Sequence, residues 1–363
     1  MEKIKILIDT DLGDDTDDAA ALMLALSCPE LEIVGITTVF KDTKKRAEMV
    51  WDLLRFYGKE DIQVSVGKQG ALNQVEEENA EEPIQYELLR PGEGTIRRKA
   101  ENGGEDVRDE KHGRDEKYGQ DEKYGRDEKY TRDEKYGQDE KYGQDEKYIR
   151  DEKHARGEET GRENTAAGAA EFIVKMAKEH PGLVILGMGP MTNLALAFLK
   201  DVRTMKKTKI IAMGGAFLSS RPEWNIICDP EAAAVVVNHS ENLTMMGLDV
   251  TRYLKVGQER LEKWKKKQIP QMDYFLRGVE IFCRATGFPV TFHDVLLVVY
   301  LLHPEVVTLK KGNFAVELSG QMTRGTMVDR SDYYEIDPEI DGNFQYAVSV
   351  DTDLFFETVD RYF

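Results

Sequence analysis

ILIDTDLGDDTDDAA, residues 6–20, crowds Asp9, Asp11, Asp14, Asp15, Asp17 and Asp18 into one short loop. An apolar run at residues 4–8 leads into it, and an alanine- and leucine-rich helical pattern at residues 19–26 leads out. A buried parallel strand delivering side chains to the mouth of an α/β sheet has this form. So many carboxylates in one turn repel one another. Away from bulk water, some must be protonated, hydrogen-bonded or neutralised by a cation. The loop offers oxygen ligands only, with neither Cys nor His, which suits the hard ions Ca²⁺ and Mg²⁺. The plainer alternative is a solvated acidic turn in which Asp17 or Asp18 caps the helix.

Outward from this loop, LEIVGITTVF at residues 31–40 reads as a second strand. Residues 44–57 read as an amphipathic helix with Ala47, Val50, Leu53 and Leu54 on one side, and residues 62–66 as a third strand. Strand-helix-strand alternation implies right-handed crossovers and a largely parallel sheet. Ligands of such sheets bind beyond the carboxyl ends of the strands, where the Asp loop and the loop of Phe40, Lys41, Asp42 and Thr43 should meet.

The second half of the chain continues the alternation. Helix is expected at residues 166–178 and strand at 183–186, followed by a sharp turn through Gly187, Gly189 and Pro190. Thr192 or Asn193 can cap the next helix at 194–198. The turn exposes backbone carbonyls, so the Met188 carbonyl can face a cation. Strands are expected at 209–213 and 243–247. Asp229 reads as an N-cap, with Pro230 first in its helix and Glu231 in the first turn. Just upstream, Glu223, Trp224 and Asn225 stand within reach of a substrate. The basic stretch at 255–268 reads as a solvated helix face rather than a nucleic-acid patch. Residues 279–283 fit helix or strand. His293 and Asp294 precede an apolar helix at 295–302, and a β-rich tail from Phe314 ends in an amphipathic helix at 354–363.

Gross composition limits the remainder. With 363 residues, 40% of them apolar, the chain can build one large domain or two ordinary ones. A net charge of −18 argues against nucleic acid or an anionic membrane as partner. No basic-plus-apolar leader and no run of membrane-spanning length is expected, which suggests a cytoplasmic protein. Cys28, Cys228 and Cys283 form no close ligand pair and read as reduced, mostly buried thiols. Residues 107–154 repeat a six-residue unit, typified by GRDEKY and GQDEKY, in eight DEK-containing copies. A six-residue period drifts around a helix and builds no apolar stripe, so the repeat makes no core. Its sixteen acids, eight Lys and five Arg leave a net charge of −3. It therefore reads as a solvated polyampholyte grown inside a tolerant surface loop.

The opening loop resembles the DTDxGxDD signature of nucleoside hydrolases of the inosine-uridine-preferring type. Further matches follow in the family's order: LGMGPMTNLALA at 186–197 resembles its GPLTN segment, GGAF and PEWNIICDPEAA at 214–233 its EFN-DPEAA block, and FHDVL at 292–296 its HD motif. Leu12 stands where the family has proline, Asp42 where it commonly has Asn, and the loop is two residues longer than the simplest family form. Asp14 and Asp15 thus compete with Asp17 and Asp18 for the signature's acidic pair. The latter are chosen because Asp17-Asp18-Ala19-Ala20 runs straight into the helix.

The resemblance implies an open, mostly parallel β-sheet flanked by helices. It implies a single domain over 1–363, interrupted by the repeat insert at about 100–160. The implied activity is calcium-dependent hydrolysis of the N-glycosidic bond of ribonucleosides to ribose and free nucleobase, in purine and pyrimidine salvage, by a homodimer or homotetramer. By the same resemblance, Asp11, Asp18, the Met188 carbonyl and Asp294 bind Ca²⁺, and Asp11 doubles as general base. Asp17 and Asp42 belong to the ribose-diol side, Glu223 and Asn225 hold the 5′ end, and His293 assists the leaving base. Two other readings compete. Asp9-Thr10-Asp11 can be the nucleophile loop of a haloacid-dehalogenase-like phosphatase. Alternatively, an inactive hydrolase scaffold displays the charged repeat.

Overall fold

In β1 (Ile4–Thr10), Ile6 and Ile8 enter one apolar cluster and Leu7 the opposite one, so this strand is buried on both faces from the outset. The computed structural model describes residues 3–74, 80–89, 168–331 and 344–363. The repeat insert expected at about 100–160 lies outside the described residues.

The chain opens with β1, α1 (Asp17–Ser27), β2 (Leu31–Thr38), α2 (Thr43–Phe56) and β3 (Val64–Val66), followed by a 3₁₀ turn at Ile84–Leu89. It resumes with α3 (Ala169–Glu179), β4 (Val184–Gly187), α4 (Thr192–Lys200), α5 (Val202–Met205), β5 (Lys209–Met213), α6 (Trp224–Cys228), α7 (Pro230–His239), β6 (Leu243–Met246) and α8 (Leu248–Thr251). Helices α9 (Gln258–Lys265), α10 (Pro270–Thr286) and α11 (Val295–Leu302) come next. The chain closes with β7 (Val307–Gly312), β8 (Phe314–Val316), β9 (Met327–Asp329), β10 (Phe344–Val350) and α12 (Thr352–Tyr362).

Eight strands form one sheet in the order β3-β2-β1-β4-β5-β6-β10-β7, while β8 and β9 pair separately. Every neighbour from β3 to β10 is parallel, and β7 alone runs antiparallel, along the edge. One face packs against α1, α2, α10, α11 and α12, the other against α3, α4 and α7. The expected parallel α/β sheet is thus present. Residues 279–283, open between helix and strand in the sequence, fall inside α10. Among the described residues no helix is long and apolar enough to cross a membrane, and the three cysteines are unpaired.

The strand order reverses direction between β1 and β4. Crossovers from β1 move outward through β2 and β3, whereas β4 and its successors move the other way, which leaves a crevice beyond the carboxyl ends of β1 and β4. The Asp loop leaves β1 there, and the turn of Met188 and Gly189 leaves β4 there. Proximity is tight. A Cβ on Gly189 would come within 2.6 Å of Asp11 Oδ1, so only glycine lets the turn pass beneath that carboxylate. Gly13 adopts φ 120°, a left-handed value that favours glycine, and bends the loop back toward α1.

Candidate active site and metal centre

Three elements converge on the crevice. The first turn of α1 carries Asp17 and Asp18, the end of β1 carries Asp11, and the N-terminus of α11 carries Asp294. Asp17 Oδ2 accepts the backbone amides of His293 at 3.0 Å and Asp294 at 3.1 Å, which stitches the opening loop to a segment 276 residues downstream. Thr10 Oγ1 donates to Asp18 Oδ1. Neither Asp17 nor Asp18 is a helix cap: Thr16 holds the N-cap position, and both carboxylates point into the protein at under 5% exposure. The solvated-turn alternative is therefore corrected, because buried partners claim these side chains.

Carboxylate oxygens of Asp17, Asp18 and Asp294 lie within 4.8 Å of one another, all buried. Asp294 Oδ1 is buried without a hydrogen-bond partner. An orphaned carboxylate oxygen facing two further acids is expensive unless a cation or proton sits among them. Burial raises the carboxyl pKa of Asp18 and Asp294 well above the ordinary range, and neighbouring acids, Asp11 among them, raise it further. Burial likewise pushes Asp11 up to about 7 and Asp17 up to about 6. An all-oxygen, acid-rich, desolvated set of this kind fits a hard divalent cation.

The competition between the two acidic pairs is resolved by an arginine. Burial opposes ionisation of Asp14, yet the charge and hydrogen bond of Arg46, with Lys41 beside it, hold its carboxyl below the usual carboxylate range. Asp14 is thus engaged by Arg46, Lys41 and the Ile84 amide. Asp15 is half-buried, accepts Thr16 N at 2.5 Å, and is raised to about 7 by burial and the Asp17 charge.

His293 is half-buried, and its Nδ1 lies 2.8 Å from Thr251 Oγ1. Burial lowers its pKa, with the Asp15 charge acting in the opposite direction, so the imidazole is held neutral. The Met188 carbonyl accepts Asn225 Nδ2 at 2.7 Å, which leaves one lone pair. Glu223 caps α6, accepting Gly215 N at 3.0 Å, Asn225 N at 2.9 Å and Ile226 N at 3.3 Å. Asp42 caps α2 by accepting Lys45 N at 3.1 Å and pairs with Lys45 Nζ at 3.2 Å. Asp229 caps α7, as its sequence context predicts, and also receives Leu72 N and Thr192 Oγ1.

Expectations for Thr192 and Asn193 need correction. Neither caps α4: Thr192 donates to Asp229 at 2.6 Å, and Asn193 Nδ2 donates to Asp9 at 2.8 Å and to the Thr38 carbonyl at 3.0 Å. Arg46, Gln85 and Thr251 escaped sequence reading altogether. For Arg46 a signal existed, since it shares the 46, 50, 53 spacing of the apolar stripe of α2.

The family model for inosine-uridine preferring nucleoside hydrolases matches residues 6–357. The chain belongs to this family. Uridine nucleosidase 1 of Arabidopsis thaliana is 29% identical over 345 residues, covering 90% of this chain and 82% of that protein. The inosine-uridine preferring nucleoside hydrolase of Crithidia fasciculata is 24% identical over 379 residues, covering 98% and 96%. Among solved structures, the plant nucleoside hydrolase PpNRh1 superposes with a TM-score of 0.71 at 21% identity, over 99% of this chain and 98% of that one.

As a nucleoside hydrolase, the chain is an enzyme that cleaves the N-glycosidic bond of ribonucleosides. Membership does not favour the phosphatase reading, and the geometry agrees. Asp9, its nucleophile, is 1% exposed and accepts Thr37 Oγ1 at 2.6 Å as well as Asn193. Burial raises its carboxyl to about 7. A group so enclosed anchors β1 to β2 and α4 and cannot attack a phosphate.

Proposed function

We propose that this nucleoside hydrolase works around a calcium ion held by Asp11, Asp18, Asp294 and the Met188 carbonyl. The observation that carries the reading is the buried, unpartnered Asp294 Oδ1 facing Asp17 and Asp18. Carboxylates plus a main-chain carbonyl make the hard, flexible oxygen set that Ca²⁺ prefers over the stricter octahedron of Mg²⁺. When bound, such an ion lowers the pKa of water and fixes the ribose diol beside it.

The chain's own residues do the rest. Bond cleavage passes through a ribosyl cation, so buried carboxylates beside the sugar stabilise the charge as it develops. Asp11, aimed at the crevice from the loop after β1, accepts the proton of the attacking water. Asp17 keeps one oxygen on the amides of His293 and Asp294 and offers the other to the ribose hydroxyls. Asn225 and Glu223 hold the 5′ end. His293, oriented by Thr251, donates from Nε2 to the departing base. Asp42 keeps Oδ1 on the α2 cap and can join the diol side through Oδ2, which pairs with Lys45.

The reading extends to a single domain with a repeat insert, and to purine and pyrimidine salvage in the cytoplasm by a homodimer or homotetramer. Family membership is what supports it. A nucleoside panel assayed with and without calcium chelation tests the core of the reading. Asp11→Ala should abolish turnover and calorimetric Ca²⁺ binding together. An Asp11→Ala enzyme as fast as the parent would overturn the assignment.

A further inference from the structure

The loop carrying Asp11 runs through residues 11–16, between β1 and α1. Four of its backbone carbonyls are held by Arg46 and Gln85. The carbonyls of Asp11 and Leu12 accept Arg46 Nη1, the latter at 2.9 Å. The Gly13 carbonyl accepts Gln85 N at 2.8 Å, and the Asp15 carbonyl accepts Gln85 Nε2 at 2.6 Å. Asp14 closes the arrangement, its Oδ2 accepting Arg46 Nη2 at 2.8 Å and its Oδ1 accepting Ile84 N at 3.2 Å.

Arg46 is fully buried, a position that costs heavily unless the guanidinium donors are used. They are used, and on two loops at once. Nε donates to the Phe40 carbonyl at 2.7 Å, where Phe40 at φ 67° and Lys41 at φ 57° are left-handed without being glycine. Such conformations persist only where the surroundings impose them. One planar fork thus fixes the loop after β1 and the loop after β2 in a single relative geometry, gripping the backbone of Asp11 itself. Gln85, 3% exposed and packed against Gly278, braces the same loop from the other side.

We infer that Arg46, Asp14 and Gln85 are positioning residues, a clamp on this loop that presets Asp11 for the cation and for the attacking water while touching neither. The inference rests on the reading of Asp11 as ligand and base. It assigns Asp14 to the clamp, not to the metal. Side-chain hydrogen bonds to consecutive carbonyls restrict the backbone that carries Asp11. A lysine at position 46 keeps the charge but has no fork, so it cannot grip both loops.

The test uses full-length Arg46→Lys, Asp14→Asn and Gln85→Ala, titrated calorimetrically with CaCl₂ and assayed on a nucleoside at saturating Ca²⁺. Thermal melts establish that each variant is folded. Arg46→Lys should bind Ca²⁺ about 10-fold or more weakly and lose about 10-fold or more in kcat, with the nucleoside KM within about 3-fold of the parent. Asp14→Asn and Gln85→Ala should each lose about 3- to 10-fold in Ca²⁺ affinity. A folded Arg46→Lys enzyme within about twofold of the parent in both Ca²⁺ affinity and kcat overturns the inference, as does a loss confined to KM. Should Arg46→Lys not fold, the other two decide, and parental Ca²⁺ affinity in both overturns it. A parent that neither binds Ca²⁺ nor hydrolyses nucleosides sinks the functional reading instead.

Discussion

Asp17 illustrates why the acidic cluster makes the metal-free protein sensitive to pH. Its carboxyl, like those of Asp11, Asp15, Asp18 and Asp294, is raised by burial, so between about pH 4 and 7 the folded chain holds protons that the unfolded chain releases. More protons bound in the native state means that stability falls as pH rises through this window. Asp14, Asp201 and Asp360 are shifted the other way, but their contribution is lost only as pH falls below the ordinary carboxylate range; His293, lowered by burial, opposes the trend inside the window as one group against five. The chelated protein should therefore melt at a lower temperature at pH 7.5 than at pH 5, and added Ca²⁺ should raise the melting temperature much more at pH 7.5. Scanning calorimetry reads both. A chelated protein that gains stability from pH 5 to 7.5 would mean that the cluster is solvated or paired.

Helix α9 shows how far a local pattern carries at the scale of one element. Its charges suggest a solvated face, and most are; yet Trp264 is fully buried, stacking on Phe292 at 5.8 Å, and Asp360 on α12 gathers Trp264 Nε1, Arg260 and Lys263. Asp360→Ala should cost about 1 kcal/mol, since hydrogen bonds to a charged group are partly screened at this half-exposed position. Nucleoside turnover should stay parental. A melting temperature equal to the parent's would show the tie to be idle. The same contrast divides the legible from the illegible elsewhere. β1, β5 and α11 fall where apolar period and run length put them, because burial on both sheet faces leaves a strong local imprint. Asp17 and Asp18, preferred to Asp14 and Asp15 from the continuity of α1, lie together with Asp294. Thr192 and Asn193 resemble caps, however, because their partners Asp229 and Asp9 lie 37 and 184 residues away. Arg46 was passed over because a lone charge in an apolar stripe is easily taken for a tolerated exception.

Across the whole molecule, the residues of the crevice come from two stretches, one ending before residue 90 and one beginning after residue 167. The loops after β1 and β2 carry Asp11 and Asp42, α2 carries Arg46, and the segments from β4 to α11 carry Met188, Glu223, Asn225, His293 and Asp294. The pairing of β1 with β4 joins these stretches directly, Ile6 with Val184 through Asp9 with Gly187. Residues 107–154 lie outside the described residues, and the composition of the repeat gives it no apolar stripe with which to support the sheet. Removing residues 107–154 shortens the connection between the stretches by more than half, which by loop-closure entropy favours folding by no more than about 1 kcal/mol. The deletion should therefore fold, bind Ca²⁺ and hydrolyse nucleosides with kcat within about threefold of the parent. A folded deletion protein that binds Ca²⁺ but has lost turnover would assign the repeat a part in catalysis. An insoluble one would make it a requirement of folding.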